Sequence, residues 1–291
     1  MHEDEVDIDG DLVRQLIVSQ FPHLSELEVR EVRSTGTVNA IYRLGEDLCV
    51  RLPRLEKWAN ELEHEAQWLR TLGPQLPLAV PAPVAMGMPG GDYPFQWAIY
   101  NWLEGEIYSV EGIDDECQAA NDLAGFISEL QRVDVLGAPR LGRQPLRELD
   151  QVTRAAIQSI VDGIDTDAAT AVWDHALQFP GWQGEAVWRH NDLLPSNILV
   201  LDCRLHAVID FGTAGIGDPA NDFIAAWTLF GEIGRSCFRD ALQIDDETWV
   251  RARGYALHQA LLIIPYYVDT NPDFAVMATR TVQEVLKDYE T

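Results

Sequence analysis

The chain has 291 residues, 47% of them hydrophobic, and its 47 acids against 21 bases leave a net charge of −26. That balance repels a polyphosphate backbone and anionic lipid head groups alike, so neither nucleic acid nor a membrane surface is an expected partner. Lys57 and Lys287 are the only lysines, and neither follows a glycine, which excludes a Walker P-loop.

The apolar fraction is enough to bury a core in one large domain or two smaller ones. The longest apolar run, residues 260–268, is interrupted by Pro265 and falls well short of the roughly 20 residues that span a bilayer. The N-terminus carries six acids by Asp11 and no apolar stretch, the opposite of a signal peptide. Cys49, Cys117, Cys203 and Cys237 show no CxxC spacing, and the expectation is four reduced thiols in a cytoplasmic protein.

In chain order, residues 12–21 form a short helix candidate, followed by strand-like runs at 27–33, 38–44 and 48–52 that read as an antiparallel meander. From Trp58 to Leu72 apolar and alanine positions recur every three or four residues, a helical stripe stopped by Gly73-Pro74. A proline-rich connection leads to a strand at 95–100. Helical patterns then cover 115–133, 148–161, 166–179, 219–230, 246–264 and 272–289, with short β-rich runs at 186–189, 198–201 and 205–209 between them.

Those central runs carry the polar residues with a chemical pattern. His190, Asp192 and Asn197 form HxDxxxxN, and Asp210-Phe211-Gly212 follows at the end of an apolar strand. Phosphoryl transfer needs one carboxylate to hold an acceptor hydroxyl in line with the γ-phosphate, and an amide and a second carboxylate to hold Mg²⁺ on the phosphates. Asp192 suits the first task; Asn197 and Asp210 suit the second. His190 reads as structural, donating to backbone carbonyls to fix the loop.

On these residues the sequence resembles the aminoglycoside phosphotransferase family, small-molecule kinases that also include macrolide phosphotransferases. The resemblance runs from the loop at Ser34 through WAIYNWLEGE (97–106) to WRHNDLLPSNILV (188–200) and VIDFGTAGIGDPANDF (208–223). It implies an α+β, two-lobed protein-kinase-like fold. A small N-terminal lobe at 1–103, an antiparallel sheet plus a helix, would end in a hinge, and a larger, mostly helical lobe at 104–291 would hold catalytic loop, metal site and acceptor pocket, with a cleft between them.

Carried over by position, Asp192 is the catalytic aspartate, Asn197 and Asp210 are magnesium ligands, and Asp222 is structural. Arg51 stands where such kinases place a lysine on the α- and β-phosphates, with Glu65 as its ion-pair partner. Ser34, Thr35, Gly36 and Thr37 form the phosphate loop, and Tyr100, Asn101 and Trp102 the hinge that meets the purine. The implied donor is ATP or GTP with Mg²⁺, and the implied acceptor is a small-molecule hydroxyl.

Only residues 213–218 separate the DFG glycine from the next helix candidate, and no APE follows, too short a segment to support a peptide substrate. Three other readings compete. Gly215-Ile216-Gly217-Asp218-Pro219-Ala220 matches a dinucleotide fingerprint, but Asp218 would face the pyrophosphate and no second parallel strand follows. His190 and Asp192 with His258 could form an iron-binding triad, which leaves Asn197 and Asp210 unexplained. The third is a nucleotide-binding pseudokinase or scaffold, marked by Arg51.

Overall fold

The computed structural model describes residues 5–32, 38–160 and 163–290. The chain divides into two compact units, Met1–Gly105 with Ala207–Thr213, and Glu106–His206 with Ala214–Thr291.

The first unit opens with helix α1 (Gly10–Gln20), whose N-cap Asp9 accepts from Leu12 N–H at 2.8 Å. Strands β1 (Val29–Glu31), β2 (Asn39–Leu44) and β3 (Leu48–Pro53), helix α2 (Glu56–Leu72), and strands β4 (Pro83–Gly87) and β5 (Trp97–Asn101) follow. The strands form one antiparallel sheet in the order β1-β2-β3-β5-β4, and β4 is an element with no counterpart in the sequence reading. Along β2 buried and partly buried residues alternate, the period of a half-covered strand. Its buried face joins Val50, Leu52, Trp97 and Ile99 in a core closed by Val13, Leu16 and Ile17 of α1.

Helix α2 buries Trp58, Leu62, Ala66, Leu69 and Leu72 along one stripe, and one charged residue, Glu65, is buried in the same stripe. The unit also takes in Ala207–Thr213, which a simple division at residue 103 assigns to the second part. The cause is local: Val208 N–H donates to the Ala79 carbonyl at 2.9 Å, tying this segment to the proline-rich connection.

The second unit holds strand β6 (Glu106–Ile107), helices α3 (Glu116–Arg132), α4 (Leu146–Ser159) and α5 (Thr166–Gln178), and strands β7 (Val187–Arg189), β8 (Ile198–Leu201), the first part of β9 (Arg204–Val208) and β10 (Gly215–Gly217). Helices α6 (Ala225–Thr228), α7 (Glu232–Leu242), α8 (Asp246–Tyr267) and α9 (Pro272–Glu290) complete it. Strand β8 pairs with β6, and β10 pairs with β7, each antiparallel. Almost every residue of α8 from Thr248 to Leu261 is buried, and α4, α5, α6 and α9 pack against it.

Two expectations need correction here, and one helix was missed. The continuous helix at 219–230 is instead a 3-10 turn, Pro219–Asn221, and the short α6, because the chain bends to turn the Asp222 carboxylate inward onto backbone N–H groups. Helix α7 went unread; its first turn contains Gly234 and follows Gly231, and the Glu116 carboxylate of α3 caps it from outside, taking N–H bonds from Gly231 at 2.5 Å and Gly234 at 3.0 Å. Finally, Cys117 and Cys237 are joined by a disulfide, while Cys49 and Cys203 are free thiols. The partners lie 120 residues apart on α3 and α7, and only the packing of those helices brings them together. Reduced thiols therefore no longer support a cytoplasmic compartment. Among the described residues no helix is long and apolar enough to cross a membrane.

Helix α8 is pinned to α4 and α5 through His258, which is 5% exposed and sits 2.7 Å from Thr153 Oγ1 by its Nδ1 and stacked on Trp173. The Thr153 hydroxyl donates to the Leu149 carbonyl at 2.8 Å, so its one proton is committed and Nδ1 is the donor in the histidine contact. Burial, reinforced by the Arg143 charge, pulls the imidazole down to about 4. The unfolded chain takes up a proton near pH 6.5 that the folded chain refuses, so stability is lost as pH falls from about 6.5 to 4, by an amount of order 3 kcal/mol. Urea unfolding at pH 7 and pH 5 should show about 2 kcal/mol of that loss, and His258→Gln should flatten it.

Candidate active site

The residues singled out from the sequence fall into two sets, one in each unit. In the first unit the centre is Glu65, 1% exposed on α2. Arg51 lies on β3, and its Nη1 donates to both carboxylate oxygens of Glu65, at 2.9 and 2.7 Å. The Tyr100 hydroxyl donates to Oε2 at 3.3 Å, and the backbone N–H of Phe211 donates to Oε1 at 2.9 Å. One buried carboxylate thus ties together a strand, a helix and the DFG segment. The last contact sets the backbone next to Asp210, which adopts a left-handed φ of 68° and keeps its side chain half exposed. Such a backbone is uncommon outside glycine and is held by its surroundings.

Arg51 Nη2 lies 3.9 Å from Asp210 Oδ1, and its guanidinium rests over the Tyr100 ring at 5.4 Å. Burial opposes the Arg51 charge, but Glu65 and then Asp210 outweigh it and hold the group firmly protonated. Of the hinge residues, Tyr100 is buried with its side chain on Glu65, Asn101 N–H bonds to the Ala82 carbonyl at 3.1 Å, and Trp102 N–H bonds to the Asp47 carbonyl at 2.7 Å. Ser34, Thr35, Gly36 and Thr37 lie outside the described residues.

In the second unit Asp192 sits on the loop between β7 and β8. Asn197 Nδ2 donates to its Oδ2 and to its carbonyl, both at 2.8 Å, and Gln259 Nε2 of α8 donates to its Oδ1 at 3.0 Å. Because the Asn197 amide turns its nitrogen to Asp192, its oxygen is the end left for a cation. An amide oxygen is a hard donor of the kind Mg²⁺ takes, and the half-exposed Asp210 carboxylate of the first unit is another. No group of three His, Cys, Asp or Glu side chains among the described residues makes an all-protein cage.

The loop that carries Asp192 is held by three side chains from other parts of the unit. Asp222, fully buried, accepts the N–H groups of His190 at 2.8 Å and Asn191 at 2.7 Å. Burial pushes its carboxyl up, and these bonds together with nearby His190 and Arg189 oppose the shift. Arg143 Nη1 donates to the Asn191 carbonyl at 2.7 Å, and Thr228 Oγ1 of α6 donates to the Leu193 carbonyl at 2.9 Å. Asn191 has a left-handed φ of 72°, and a Cβ on Gly142 would lie 2.3 Å from its Oδ1, so Gly142 is needed for the close approach.

His190 also contacts the loop directly: its Nδ1 accepts the Asp192 N–H at 3.2 Å. Sequence reasoning missed Arg143 and Thr228, for which no local signal exists.

Removing Arg51 tests the first set. Arg51→Met leaves Glu65 buried without its cation, and urea unfolding should show a loss of about 3–5 kcal/mol. Arg51→Lys should lose less, since an ammonium still neutralises Glu65.

A model of the phosphotransferase enzyme family (APH) matches residues 29–257 of the chain. The GDP complex of aminoglycoside 2'-phosphotransferase-IIIa superposes with a TM-score of 0.77 at 21% identity, covering 97% of this chain and all of that one. Macrolide 2'-phosphotransferase MphH from Brachybacterium faecium, as apoenzyme, gives 0.62 at 20% identity over 94% and 97% of the two chains. Among curated proteins, YcbJ of Bacillus subtilis (strain 168), itself uncharacterized, is 28% identical over 117 residues, so the match spans 38% of each chain. The solved structures share the kinase-like fold, the family model extends over most of the sequence, and the protein belongs to the phosphotransferase enzyme family, whose members are small-molecule O-phosphotransferases.

Proposed function

We propose that the protein moves the γ-phosphoryl group of ATP or GTP to a hydroxyl of a small molecule, and that aminoglycosides and macrolides are the acceptor classes to try first. The observation that carries this reading is the Asp192 carboxylate, held on both oxygens by the Asn197 and Gln259 amides in a loop fastened by Asp222. In a loose phosphoryl-transfer transition state little covalent work is left to the protein, and alignment of the acceptor oxygen supplies most of the rate. A carboxylate fixed in this way can accept the hydroxyl proton and set the line of attack without reorganising.

By their places in the sequence motif, Asp210 and Asn197 would hold Mg²⁺, which when bound would neutralise the negative charge of the phosphate oxygens. Arg51, anchored by Glu65, supplies a positive fork in place of the usual ammonium. The donor reading draws on the GDP found in one similar structure, and the acceptor reading on the aminoglycoside and macrolide names of two.

Net charge does not choose the acceptor. Residues 1–105 hold 8 bases and 17 acids, and residues 106–291 hold 13 and 30, so the two parts are about equally acidic per residue. Cationic substrates gain from such a surface, but the excess is general and fits solubility as well.

Asp192→Ala should cut acceptor-dependent nucleoside diphosphate release by about 10²–10⁴-fold while nucleotide affinity stays near wild type. Asp210→Ala should lose the Mg²⁺ dependence of nucleotide binding. Retained turnover in the first variant, or an unchanged response to Mg²⁺ in the second, contradicts the assignment. Tight nucleotide binding by the wild type with no turnover on any alcohol supports a scaffold instead.

A further inference from the structure

We propose that Gln259 is a positioning residue for phosphoryl transfer: it sets the plane of the Asp192 carboxylate from helix α8. The inference rests on the reading of Asp192 above. The terminal torsion of an aspartate is broad, so a carboxylate gripped at one oxygen can still rotate. Asn197 grips Oδ2 at 2.8 Å, and Gln259 Nε2 grips Oδ1 at 3.0 Å. Two donors on opposite oxygens remove the remaining freedom. The Asn197 donor comes from the catalytic loop itself, whereas the Gln259 donor comes from 67 residues further along the chain and reports the position of α8.

Helix α8 is well placed for this. The residue before Gln259, His258, is locked by Thr153 and Trp173, and the residues around it are buried, which leaves the helix little room to turn. The orientation of the Gln259 amide follows from charge: its nitrogen must face the carboxylate. Its Oε1 is then buried without a hydrogen-bond partner among the described residues. A buried acceptor left in that state works against the fold and needs a reason for being there. Holding Asp192 is such a reason, and it separates a positioning role from a structural one: a structural glutamine would be stabilising, while this one is retained at the expense of stability.

The test uses the full-length wild type, Gln259→Met and Gln259→Glu, assayed for transfer from ATP or GTP to an acceptor that the wild type turns over. Methionine keeps the length and helical preference but cannot donate; glutamate keeps the shape but sets a second acceptor against Asp192. The expected result for Gln259→Met is a fall in kcat of about tenfold to a hundredfold, with KM for nucleotide and acceptor unchanged and the melting temperature equal or higher. Gln259→Glu should fall further, since it repels the group it replaces a donor for. An unchanged kcat in Gln259→Met overturns the inference, and so does a fall in kcat accompanied by a lower melting temperature and raised KM values, which marks a structural role. A wild type that turns over no acceptor removes the phosphotransfer reading and this inference with it; a wild type that turns over with an unaffected Gln259→Met removes the inference alone.

Discussion

A carboxylate withdrawn from water must find hydrogen-bond donors in its place, and this fold uses that constraint twice. Glu65 in the first unit and Asp222 in the second are each buried. Each takes backbone N–H groups from the residue beside a polar group of the motif: Phe211 next to Asp210, and His190 and Asn191 just before Asp192. Bonds from backbone to carboxylate fix the main chain and not merely a rotamer. That is how two residues with left-handed φ, Asn191 and Asp210, are kept where loops would otherwise relax. The rest of each unit supports these two anchors. The α2 stripe and the sheet bring Glu65 to Arg51, and α8 with the turn at Pro219–Asn221 brings Asp222 under the loop.

What could be read from the sequence follows from how local each feature is. The meander and α2 were legible because burial on one face imposes a period of two or of about 3.6, and strand β2 and helix α2 keep to it. The spacing of Asp192, Asn197 and Asp210 was legible because it belongs to short strands and the loops joining them. Features that depend on two distant elements meeting were not. Nothing near Cys117 indicates Cys237, nothing near Gly231 indicates the Glu116 cap on α7, and nothing near Arg143 indicates the Asn191 carbonyl. The misread helix at 219–230 is instructive: its residues have helical periodicity, but Asp222 gains more from two buried backbone donors than the chain gains from a further helical turn.

The departure at Arg51 also looks different in structure. As a sequence difference it raises the question of whether nucleotide handling is lost. In the fold, the guanidinium uses one nitrogen on both Glu65 oxygens and turns the other toward Asp210. A lysine offers no such division of labour, because its donors share one nitrogen. The arginine therefore keeps the ion pair and spans to the DFG aspartate, a role compatible with turnover.

The central claim, that this chain transfers a phosphoryl group to a small-molecule hydroxyl, is tested most directly by phosphorus NMR of the wild type with Mg²⁺, ATP or GTP, and an aminoglycoside or a macrolide. The account predicts a phosphomonoester resonance of the acceptor that grows in step with the nucleoside diphosphate. Triphosphate that stays intact with every acceptor, or that yields inorganic phosphate alone, would contradict it.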